Sequence, residues 1–112
     1  MDTGMEVRWR LRNGTQIVGY ERRLNGRNWS STDGFWWNGA SLEYSEKDRC
    51  LMTKDVNNQW LFEGDVVTSR CKKGPWILRY LPEGWRLVRT HEDSELPPDS
   101  KDLKRIAFAF VK

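Results

Sequence analysis

Two acids, Glu63 and Asp65, stand two residues apart in the stretch DVNNQWLFEGDVV at residues 55–67. On an extended strand, positions i and i+2 share a face, so this pair is the first candidate for carboxylate chemistry. A metal site or an acid–base pair needs further ligands converging on the same point, and the sequence offers few. Its one histidine, His91, lies in the charged run His91-Glu92-Asp93, and no His, Cys, Asp and Glu spacing suits zinc or iron. There is no Ser/His/Asp set, phosphate-binding loop or dinucleotide fingerprint. Cys50 and Cys71 are expected as free thiols. Cys71 precedes Lys72-Lys73, which would favour the thiolate, but no base stands at a spacing to use it. The expectation is a chain with no catalytic activity, no metal and no cofactor.

The structural alternative for the acids is specific. Gly64 supplies a permissive backbone at a bend, Asp65 can accept from neighbouring N–H groups, and Val66-Val67 enter a strand. Upstream, Asp55 opens a turn and Asn58 suits the φ > 0 position such a turn requires. Asp55, Asn58, Gly64 and Asp65 are therefore read as a structural turn and bend.

The elements that would position these residues are short strands. With seven tryptophans, nine glycines and four prolines among 112 residues, the chain suits pleated segments broken by turns. Val7, Trp9 and Leu11 alternate with Arg8, Arg10 and Arg12, and Asn13-Gly14 is a hairpin signal. This predicts a hairpin over about 6–20 with the three arginines on its solvent face. A second hairpin is expected over about 76–90, turning at Pro82-Glu83-Gly84. Residues 105–111 are apolar on both faces and predict a central closing strand. Residues 21–45 read as short strands or a long loop. Ser45-Glu46-Lys47-Asp48 resembles a capping box that opens one helical turn, and another turn is expected from Asp99. The whole is expected to be one domain, 1–112, mainly β: a small SH3-like or partly open β-barrel of six or seven short antiparallel strands, with long loops and at most one or two helical turns.

The segment 50–68 carries a further signal. Asp55-Val56-Asn57-Asn58, then Leu61-Phe62-Glu63-Gly64-Asp65-Val66-Val67, resembles the hallmark of the YopX family, small proteins of bacteriophages and prophages. That hallmark is an Asp-x-Asn-Gly turn, a hydrophobic-aromatic pair, then Glu-Gly-Asp and β-branched residues. Asn58 stands at the turn glycine. The resemblance implies a β-rich fold and a phage or prophage origin. It implies no established activity.

Two classes of partner follow from the surface residues. Trp36 and Trp37 are adjacent, so both cannot face one core, and an exposed tryptophan is an anchor for a protein partner. This favours a non-catalytic interaction module binding a host or phage protein in the bacterial cytoplasm. The alternative is a nucleic-acid-binding barrel. Residues 70–90 hold six bases (Arg70, Lys72, Lys73, Arg79, Arg86, Arg89) against Glu83, and with Arg8, Arg10 and Arg12 they could track phosphates. Tyr80 or Trp85 would then stack on bases. Against it, residues 41–69 hold six acids and three bases. No stretch has the length of a membrane span, so no membrane partner is expected. Unpaired β edges and abundant tryptophan also suit a homo-oligomer.

Overall fold

The structure, a computed structural model, describes residues 6–97 and 99–111. The chain divides into two compact units, Met1–Cys50 and Leu51–Lys112. The fold is mainly β, with short strands paired antiparallel and one 3-10 turn among the described residues. Ten strands form among the described residues, more than the six or seven expected. The extra ones are short and polar, such as RNWSS at Arg27–Ser31, and carry little apolar alternation.

The first unit contains β1 (Glu6–Asn13), β2 (Gln16–Leu24), β3 (Arg27–Ser31) and the start of β4 (Glu46–Lys54), side by side in the order β3-β2-β1-β4. The β1–β2 hairpin turns at Gly14, with φ of 61°. Its register passes from Leu11↔Gly19 to Arg12↔Ile17, leaving Val18 as a bulged residue. Gly19 is fixed by close approach: a Cβ there would lie 2.5 Å from both Leu42 and the Ser31 carbonyl oxygen. The capping-box expectation at Ser45 fails. Residues 46–49 pair with β1 instead of opening a helix, because Ser45 is used across the sheet. Its N–H and hydroxyl both donate to the Arg12 carbonyl, and its Oγ accepts from the Gly14 N–H.

In the second unit, the end of β4 lies beside β5 (Trp60–Phe62). The other sheet runs in the order β10-β6-β7-β8-β9, from β6 (Asp65–Ser69), β7 (Pro75–Leu81), β8 (Gly84–Arg89), β9 (Glu92–Ser94) and β10 (Leu103–Phe108). A 3-10 turn at Ser100–Asp102 is capped by Asp99, whose side chain accepts the Lys101 N–H. Leu61, Val67, Trp76, Leu78, Leu87 and Leu103 form the core. Burial of such side chains, about 1.5–3 kcal/mol each, is the main force holding the unit together.

β10 does not close the sheet centrally as its apolar run suggests. It lies at the sheet's end and pairs with β6. The register steps from Arg105↔Val67 to Ala107↔Val66, which makes Ile106 a bulge and leaves it exposed. The Asp55 turn covers β10's other edge. Val56 N–H donates to the Leu103 carbonyl, and Asp55 Oδ2 accepts the Arg105 N–H at 2.9 Å. Asp55 Oδ1 accepts from Asn57 and Gln59, both at 2.9 Å, so one fully buried carboxylate gathers three backbone donors. Asn58 takes the left-handed conformation (φ 62°), and Gly64 bends at φ 90°. Asp65, also fully buried, accepts the Phe62 N–H at 2.8 Å and lies 3.7 Å from the Arg105 guanidinium. Glu63 is half-buried and accepts the Tyr80 N–H at 3.3 Å. Glu63 and Asp65 thus serve different backbone groups.

Candidate interaction site

The chain between β3 and β4 wraps the edge of the first unit's sheet. It starts at Ser31, whose buried hydroxyl donates to Asp33 Oδ1 at 2.9 Å and accepts the N–H groups of Asp33 and Gly34. Asp33 Oδ1 in turn accepts from Phe35 at 2.8 Å and Trp36 at 3.0 Å. These bonds to the charged carboxylate, the Trp36 N–H first, then Phe35 and the Ser31 hydroxyl, hold the Asp33 pKa below its usual range. Gly34, at φ 88°, lets the chain turn over the Tyr20 ring. Ser30 and Asn38 then exchange both backbone bonds, at 2.8 and 3.0 Å, and close the loop against the outer edge of β3. Leu42 continues onto the sheet face that bears Gly19.

This geometry separates the two tryptophans. Trp37 is half-buried on the face that carries the β1 arginines, with its ring 5.5 Å from the Arg8 guanidinium carbon and 5.3 Å from that of Arg22. Both arginines are paired with Glu6, Arg22 at 3.7 Å. Trp36 points away and is 82% exposed, and its neighbour Phe35 is 86% exposed. The sequence reading missed Phe35. The signal available was the Asp33-Gly34 turn, after which successive side chains leave the sheet together. Two adjacent aromatic rings on a hydrogen-bonded loop form a small apolar prong, and such rings supply large contact area at little entropic cost.

The candidate phosphate-binding arginines of β1 are elsewhere engaged, and the expected solvent face is a buried ion-pair cluster. Arg10 is only 1% exposed and meets Asp48 at 2.9 Å. Arg12 grips both oxygens of Asp48, at 2.8 and 2.9 Å, and reaches Glu46 at 3.1 Å. Its pKa is raised chiefly by the hydrogen bond to Asp48. Acids 34 to 38 residues further along the chain thus neutralise Arg10 and Arg12, which alternation within β1 cannot reveal.

The basic hairpin also divides. Arg79 and Arg86 are cross-strand neighbours on one face, as Tyr80 and Trp85 are on the other, with their rings 5.2 Å apart. Trp85 packs on the core, so the rings proposed to stack on bases and these arginines face opposite ways. Arg86 lies 3.5 Å from Asp93. Arg89 bonds Glu92 and the Lys73 carbonyl and covers the Trp76 ring at 3.8 Å. Arg70 and Lys73 are exposed and Lys72 is half-buried.

Three other tryptophans divide between core and surface. Trp76 is buried, whereas Trp9 and Trp60 are half-buried beneath cations, Trp9 under Lys47 at 4.2 Å and Trp60 under Lys54 at 4.8 Å. His91 is exposed at a left-handed turn position. Among the described residues no group of three His, Cys, Asp or Glu side chains is placed to hold a metal ion, and no helix is long and apolar enough to cross a membrane. Cys50 is buried and Cys71 exposed, and the two are not joined in a disulfide. Comparison with known proteins yields no matching family model, curated protein or solved structure.

Proposed function

We propose that this chain is a non-catalytic protein-interaction module whose anchor is the Phe35–Trp36 prong. The observation that carries the reading is the pairing of exposure with order. Two large aromatic rings stand almost wholly in solvent on a loop held by Asp33, Ser31 and Asn38. Exposed aromatics that are already held in place lose little entropy on binding and make strong anchors. The likeness of residues 55–67 to the YopX hallmark supports a setting in phage or prophage biology. The partner is then a host or phage protein of the bacterial cytoplasm.

The nucleic-acid reading draws less support from the geometry. The β1 arginines Arg8, Arg10 and Arg12 pair with Glu6 and Asp48, and the stacking rings face away from Arg79 and Arg86. The experiment that separates the two is fluorescence anisotropy with labelled single- and double-stranded DNA across a salt series, run beside affinity capture from host lysate. The interaction reading predicts no salt-sensitive DNA binding, together with a captured protein that is lost from the Phe35→Ala/Trp36→Ala variant. DNA binding that falls steeply with salt and survives that variant would overturn it.

A further inference from the structure

We propose that a cleft of the second unit, remote in sequence from the aromatic prong, is a binding site for a phosphomonoester dianion. The cleft, of about 180 Å³, is lined by Thr68, Ser69 and Arg70 from the end of β6, by Lys101 to Lys104 after the 3-10 cap, and by Val56. It is too small for a drug-sized ligand, which needs roughly 300 Å³ or more, and has room for one compact group.

Its walls are fixed by backbone bonds between the three segments. Arg70 N–H donates to the Asp102 carbonyl at 3.1 Å, and Val56 N–H donates to the Leu103 carbonyl at 3.0 Å. Thr68 and Lys104 are direct cross-strand partners, so their side chains leave the same face of the sheet. Three cations, Arg70, Lys101 and Lys104, line the cleft against a single acid, Asp102. Asp102 meets Arg70 at 3.7 Å, beyond direct hydrogen-bond distance, and the arginine side chain is 78% exposed. Neither lysine has an acid partner among the described residues. The lining therefore carries about two uncompensated positive charges, which match a phosphomonoester of charge near −2 at neutral pH. The Thr68 hydroxyl adds a polar contact, and Val56 and Leu103 add an aliphatic wall on which the ester's organic group would rest.

The test is an amide chemical-shift titration of the full chain at constant ionic strength, with inorganic phosphate, phenyl phosphate and dimethyl phosphate as probes. The proposal predicts saturable shifts confined to residues 68–70 and 101–104, tightest for phenyl phosphate and weakest for the singly charged diester. Lys101→Gln/Lys104→Gln should weaken phenyl phosphate binding roughly fivefold to tenfold, while Arg79→Gln leaves it unchanged. Linear, unsaturated shifts would overturn the proposal. So would diester binding as tight as the monoester's, or equal binding by the double variant with its unchanged spectrum.

Discussion

Asp55→Ala is the substitution that bears most directly on why the Asp55 stretch exists. It removes the acceptor of three backbone N–H groups at once, those of Asn57, Gln59 and Arg105, each at 2.9 Å. Asn57 and Gln59 are exposed residues, so water can replace much of what they lose, at about 0.5–1 kcal/mol each. The Arg105 N–H lies in the interior of the edge and would be left without a partner, costing roughly 1–3 kcal/mol. The sum is about 2–5 kcal/mol, a large part of the 5–15 kcal/mol that typically holds a domain together. Asp55→Asn keeps one acceptor oxygen and turns an N–H donor toward the other site, so its cost should be roughly half that of alanine. Urea denaturation, followed by far-UV circular dichroism, reads both losses, and amide exchange at Gln59 and Arg105 reports the local opening. If Asp55→Ala cost less than about 1 kcal/mol and left both exchange rates unchanged, the assignment of this carboxylate as the staple of the β10 edge would be wrong.

Three further outcomes are expected. Asp48→Ala removes the carboxylate that meets both the buried Arg10 guanidinium and Arg12, so it should destabilise the first unit by about 3–5 kcal/mol in a urea titration. Gly64→Val forces a β-branched residue to φ 90° and should cost about 2 kcal/mol or more, whereas Glu63→Gln, which still accepts the Tyr80 N–H, should unfold at the wild-type midpoint. Asp33 has a folded pKa below its ordinary 3.8, so its hold on the loop is complete above that value and is lost as pH falls through the lowered one. The Phe35 and Trp36 amide shifts should follow this titration with a midpoint below 3.8, and Asp33→Asn should abolish it.

Much of the fold was legible because local rules decided it. Asn13-Gly14 placed a hairpin turn, the Gly64 bend launched β6, and Pro82-Glu83-Gly84 placed the β7–β8 turn, all through backbone preferences of single residues. The failures come from contacts distant in sequence. Ser45-Glu46-Lys47-Asp48 has helix-start chemistry, but pairing with β1 outweighs a local preference worth about 1 kcal/mol. Arg10 and Arg12 looked solvated because their acids, Asp48 and Glu46, arrive from β4. A bulge at Ile106 breaks the alternation that made residues 105–111 look central. For the candidate site, the sequence showed that Trp36 and Trp37 must part but not which would be exposed. That choice is made by Arg8 and Arg22, which hold Trp37, and by the Asp33 bonds that leave Phe35 and Trp36 outside.

The interaction reading meets its most direct test in site-specific photo-crosslinking inside host cells. A photoreactive phenylalanine analogue at position 35 would be compared with the same analogue at exposed Tyr80 in the second unit. The account predicts a discrete protein adduct from position 35 that disappears when Trp36→Ala is added and is absent from position 80. The same weak adducts from both positions, or crosslinks to nucleic acid alone, would contradict it.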